Sequence, residues 1–239
     1  VLREEGEKRM KGDLTQGPVM KSMLCFAVPM ILGNLLQQCY NVADTLIVGQ
    51  FLGANALAAV GSAFSLMTFL TSILLGLCMG SGTLFSMRFG KRDEFGLKEA
   101  MCTSFILIAA FTLILNLAAF LLLDQIEVFL NVPSDVWPLM REYLAVIFAG
   151  IFATFLYNYF ASLLRAVGNS VVPLVFLAVS ALMNIGLDLW FVVRLKRGAA
   201  GAAEATVISQ YVSGVGLAAF YWLRFPWLRI KRVHMRMRW

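Results

Sequence analysis

The chain is a succession of long apolar runs separated by short polar breaks, and this pattern constrains the fold more than any single motif. Six runs can be drawn, at 22–48, 54–87, 101–123, 139–164, 171–193 and 202–223. Each is long enough for an α-helix to cross roughly 30 Å of hydrocarbon at a rise of 1.5 Å per residue. In lipid every backbone polar group must be satisfied internally, which leaves only helices and closed barrels. The runs are continuous rather than alternating, which argues against a barrel. Composition agrees: 60% of the 239 residues are hydrophobic and 14% charged, with mean hydropathy +0.78, whereas a soluble domain carries about a quarter charged residues. The expected fold is an all-α integral membrane protein, a six-transmembrane-helix bundle.

The breaks carry their own chemistry. "GQFLGAN" supplies glycines after the first run and "RFGKRDEFG" a charged turn after the second. "NVPSDVWP" places two prolines before the fourth, and "RAVGNSVVP" and "RLKRGAAG" bound the fifth. Three segments follow: a polar amino-terminal stretch at 1–21, a helical lobe at 22–223 and a basic tail at 224–239. The first helix is expected to serve as both signal and anchor. Sixteen of the 20 Lys and Arg fall on the side that holds both termini, and only Arg141, Arg194, Lys196 and Arg197 on the other. The positive-inside rule then puts both termini in the cytoplasm.

Net charge is +6, but beside a membrane that charge reads as orientation and lipid attraction rather than nucleic-acid binding. The tail "RFPWLRIKRVHMRMRW" fits a cytoplasmic interfacial segment or a linker to a further lobe. Cys25, Cys39, Cys78 and Cys102 lack metal-ligand spacing and read as small apolar side chains. His234 is the only histidine, which excludes a multi-histidine metal site. There is no nucleophile–base constellation and no Gly-rich phosphate loop, so an enzyme is not expected.

What remains is a set of polar residues inside apolar helices. Gln37, Asn41 and Asp44 follow i, i+4, i+7 spacing in the first run, bordered by Asn34 and Tyr40, while Leu35, Val42 and Leu46 lie opposite. Pro29 precedes them and removes a backbone hydrogen bond, which predicts a kink. Asn184 and Asp188 repeat the i, i+4 pattern in the fifth run, Thr206 and Gln210 in the sixth, and Asn158 sits between two tyrosines in the fourth. Amides and hydroxyls of this kind commonly join helices by hydrogen bonds. Two carboxylates without a mid-membrane cation are a different matter. A mid-membrane aspartate costs about 2.5–3.5 kcal/mol on insertion scales and marks a site that holds a proton or a cation.

Those residues also carry a resemblance. A proline fifteen residues before Asp44, "YNVADTLIVGQFLGANALAAVG", "LLRAVGNS", "NIGLD" and "GAAEATVIS", in this order, resemble the amino-terminal lobe of the multidrug and toxic compound extrusion (MATE) family over residues 18–225. The two carboxylates with Asn184 look most like its DinF-type branch. The resemblance implies a secondary antiporter in a bacterial or archaeal cell membrane, exporting cationic or amphipathic drug-like compounds in exchange for H+ or Na+, with no other cofactor. It implies twelve helices in two six-helix lobes. Carried over by motif position, Asp44, Asn184, Asp188 and Thr206 match the ion-binding cluster. Gln37, Tyr40, Asn41, Tyr143 and Asn158 match the cavity lining, and Pro29 a proline linked to bending of the first helix.

This chain covers one lobe of that plan. A second six-helix lobe, or another copy of the chain, is expected to complete the cleft between halves. Two other readings are a flippase for a lipid-linked substrate and an inactive membrane fragment. The flippase favours a cationic cavity, and no Lys or Arg lies at mid-membrane.

Overall fold

The computed structural model describes residues 19–129 and 132–228. These residues form seven α-helices and no strand. They are α1 (Val19–Leu52), α2 (Ala54–Gly90), α3 (Glu94–Leu121), α4 (Leu123–Phe129), α5 (Trp137–Ala166), α6 (Val171–Asp188) and α7 (Gly198–Arg224). A π-helical turn, Leu189–Arg194, continues α6, and a 3-10 turn, Pro226–Leu228, follows α7.

The helix ends fall where the breaks predict them. Gly53 alone separates α1 from α2, at φ 83°, a conformation that glycine adopts without a Cβ penalty. Asp93 caps α3 by accepting from the Gly96 N–H at 2.8 Å, and its carboxylate also receives Arg88 at 2.7 Å. Both bonds hold the Asp93 carboxyl below the usual carboxylate range, the Gly96 N–H being the larger influence. Gly168 ends α5 at φ 86°, and Asn169 accepts from the Val172 N–H at the start of α6.

Two elements differ from expectation. The third run was expected at 101–123, yet α3 begins at Glu94, because its capped, charged first turn is helical without being apolar. The short α4 after it is additional.

Among the described residues, five helices are long and apolar enough to cross a membrane: Met23–Leu52, Ala54–Gly90, Glu94–Leu121, Trp137–Ala166 and Val171–Arg194. The sixth run forms α7 but falls outside that group. It is rich in Gly, Ala and Ser and carries Glu204 and Gln210. Small residues let helix backbones approach closely where no hydrophobic force drives helices together in lipid. At Gly214 an added Cβ would stand 2.8 Å from the Ala153 carbonyl oxygen, and at Gly150 2.7 Å from Val207. The α5–α7 pair is therefore the spine of the bundle.

Two apolar clusters lie along this spine. One gathers Val48, Ala59, Leu74, Leu144 and Ile151. The other gathers Phe85, Met101, Phe155, Tyr159 and Leu217. Tyr159 donates to the Met101 carbonyl at 2.6 Å, and Ser180 to that of Ser209 at 2.9 Å. Such bonds tie helices whose apolar faces would gain little from association in lipid.

Candidate functional site

Three helices meet where the polar residues were singled out. The row of α1 that faces α6 and α7 includes Gly33, close to Leu174 and Leu177, then Tyr40, Asp44 and Val48. Leu35, Val42 and Leu46 lie on the outer face and are exposed. From α6 come Asn184 and Asp188, one turn apart and both fully buried. From α7 comes Thr206, also buried.

The Asp44 and Asp188 carboxyl groups adjoin one another. Neither has a cationic side chain among the groups that act on it. Arg88–Asp93, Arg141–Asp124 and Arg197–Glu204 pair elsewhere. Around the carboxyls runs a directed chain of hydrogen bonds. The Tyr40 hydroxyl donates to Thr206 Oγ1 at 3.5 Å. In the orientation that satisfies both its neighbours, the Asn184 amide oxygen accepts from Thr206 Oγ1 and from the Thr206 N–H, each at 3.2 Å. The amide nitrogen then donates to Asp188 Oδ2 at 3.0 Å. Oδ1 of Asp44 and Oδ1 of Asp188 are buried without a hydrogen-bond partner. A buried carboxylate oxygen left unsatisfied is costly, so these two atoms are the places where a proton or a cation would be held.

The π turn begins at the residue after Asp188. Such turns are rare and concentrate at functional sites, because they re-aim side chains along a helix. Trp190 lies in this turn and is exposed.

The other anticipated residues are placed differently. Tyr143 is buried on α5, within electrostatic range of both carboxyls. Gln37 is exposed, and Asn41 donates to Gln38 Oε1 at 3.2 Å instead of joining the carboxyl cluster. Asn158 belongs to a second polar group: it donates to the Thr154 carbonyl at 2.8 Å, and Thr154 Oγ1 donates to Gln210 Oε1 at 2.7 Å. Thr154 was not singled out, although it sits four residues before Asn158, the same spacing that flagged the other pairs. The anticipated kink residue, Pro29, lies inside α1, which stays helical through it.

Residues 29–190 match the MatE family model. The probable multidrug resistance protein YpnP of Bacillus subtilis is 34% identical over 211 residues, covering 88% of this chain and 46% of that protein. The multidrug export protein MepA of Staphylococcus aureus is 28% identical over 216 residues, covering 88% and 46%. A crystal structure of MATE in the bent conformation superposes with a TM-score of 0.88 at 26% identity, covering 95% of this chain and 51% of that one. The chain thus spans about half the length of the curated relatives it matches.

Proposed function

The chain belongs to the MatE family of multidrug and toxic compound extrusion transporters, and on that premise we propose that it is the ion-binding amino-terminal lobe of a cation-coupled antiporter. The observation that carries this reading is the pair of adjoining carboxyls on α1 and α6, without a cationic partner among the described residues and with one unsatisfied oxygen each. Two carboxylates are hard oxygen donors suited to Na+, and turning the Asn184 amide over would add its oxygen beside Asp188. The same pair can hold a proton and titrate as one coupled unit. Coupling follows if the ion binds one conformation of the lobe more tightly than the other, since only a differential affinity shifts an equilibrium. In the ion-free state a cavity completed by the second lobe, to which Gln37, Tyr40, Asn41, Tyr143 and Asn158 would contribute once α1 moves, would accept a cationic drug-like substrate, with Pro29 the point at which α1 bends.

The working unit in this reading includes a second six-helix lobe, in a bacterial or archaeal cell membrane with both termini cytoplasmic. Two experiments test these parts. Calorimetric titration of the chain with Na+ at two pH values should show binding that competes with protons and is lost in Asp44→Asn and in Asp188→Asn. Retention of binding in both variants would move the site elsewhere. In a cysteine-free background, an impermeant thiol reagent added outside should label a cysteine placed at Ser134 and spare one at Arg92. The reverse pattern would invert the orientation.

A further inference from the structure

Arg165 stands in the last turn of α5, half-buried in a groove that the carboxyl site does not use. The groove holds about 170 Å³ between α1, α2 and α5, and its lining includes Phe26, Met30, Met79, Thr83, Ser86 and Ser162. Gly82 lets α2 close on α5 here, because an added Cβ would stand 3.2 Å from Ser162 Cβ. Arg165 Nη2 donates to Ser162 Oγ at 3.4 Å. A guanidinium has five N–H donors, and among the described residues no carboxylate pairs with this one. A partly buried cation without a counter-ion is unfavourable unless an anion reaches it.

The groove is also graded with depth. Ser86 lies four residues before the end of α2, about 6 Å along its axis, and Met79 eleven residues before it, about 16 Å. Hydroxyls and the guanidinium therefore occupy the end of the bundle, while Met79 and Met30 lie deeper and are exposed. Arg88, Lys91, Arg92 and Lys98 cluster at this same end, and such clusters attract anionic lipid.

We propose that this groove binds an anionic phospholipid. Its phosphate sits on Arg165 and Ser162, and an acyl chain runs along Met30 and Met79. The purified chain in non-ionic detergent, titrated with phosphatidylglycerol or phosphatidylcholine and read by native mass spectrometry, provides the test. Wild type should prefer phosphatidylglycerol. Arg165→Gln should weaken that binding about fivefold, the expected effect of one basic residue at an anionic surface. Arg165→Lys should keep most of it, and Arg194→Gln, which removes the same charge at the opposite end, should change nothing. Met79→Trp replaces an exposed side chain, leaves Arg165 in place, and should weaken binding by filling the groove. Equal binding of the two lipids by wild type would overturn the proposal. So would unchanged phosphatidylglycerol binding in Arg165→Gln and Met79→Trp. Displacement of the lipid by an added second six-helix lobe would overturn it too, and would make the groove an interlobe contact.

Discussion

Helices α1 and α7 flank the same carboxyl site and are built in opposite ways. α7 is outside the group of five helices apolar enough to span a membrane, yet twelve of its 27 residues are buried. α1 is within that group, yet among its described residues only Val48 is buried. Hydropathy alone does not set burial here: small residues let α7 lock against α5, while the large apolar side chains of α1 stay on the outside. The site therefore joins a buried half, Asn184, Asp188 and Thr206, to a half-buried one, Tyr40 and Asp44, and we propose that the first is the fixed side and the second the loose side. That division suits a site whose occupancy is meant to move one helix relative to the others.

The comparison can be broken most severely at the carboxyls. Asp188→Asn and Asp44→Asn should each abolish ion-coupled drug export when the chain is combined with a carboxy-terminal lobe of the family, with membrane insertion unchanged. Drug-efflux assays in liposomes under an imposed Na+ or pH gradient check this. Wild-type rates in both variants would reduce the cluster to a helix contact. On the fixed side, Gly214→Leu would drive a side chain into the Ala153 carbonyl, 2.8 Å from the added Cβ. Overpacking of this kind costs about 1–3 kcal/mol, so a clear fall in Tm in detergent is expected. Adding the same bulk on the loose side, with Ala43→Leu, should lower Tm less.

Smaller effects sharpen the picture. Asn184→Ala removes the amide that donates to Asp188, and Thr206→Val removes the hydroxyl that holds Asn184 and Tyr40 beside the carboxyl pair. Hydrogen bonds to charged groups contribute about 1.5–3 kcal/mol, so ion affinity by calorimetry should fall at least about tenfold in Asn184→Ala, less in Thr206→Val, and vanish in neither. The smallest effect lies outside the site, at Asp93. Its carboxyl is held low in the folded state by the Gly96 N–H and Arg88, so its contribution is fully present above the unfolded value and is lost as pH falls through the lowered one. Acidification below about pH 4 should therefore lower the Tm of wild type slightly more than that of Asp93→Asn.

Much of this was legible before any coordinates. The apolar runs became helices, and the breaks "GQFLGAN", "RFGKRDEFG", "RAVGNSVVP" and "RLKRGAAG" fell at their ends. The i, i+4 pairing of Asn184 with Asp188 put both on one face of α6, and motif resemblance joined them to Asp44 and Thr206. Other features escaped for physical reasons. The first turn of α3 is charged, so hydropathy missed seven helical residues. The π turn after Asp188 has no compositional signature. The exposure of Gln37 depends on how α1 rotates against α6, and the Thr154–Gln210 bond joins residues 56 positions apart. Neither is written in local spacing.

In the proposed coupling the carboxyl pair joins a loose α1 to a fixed α6–α7 wall. Hydrogen–deuterium exchange of the chain, combined with a second lobe and measured with and without saturating Na+ or at two pH values, tests it most directly. The segment of α1 between Pro29 and Asp44 should exchange faster than α7 without ion, slow on ion or proton binding while α7 stays unchanged, and lose that response in Asp188→Asn. Equal exchange of α1 and α7, or an α1 response that survives Asp188→Asn, would contradict it.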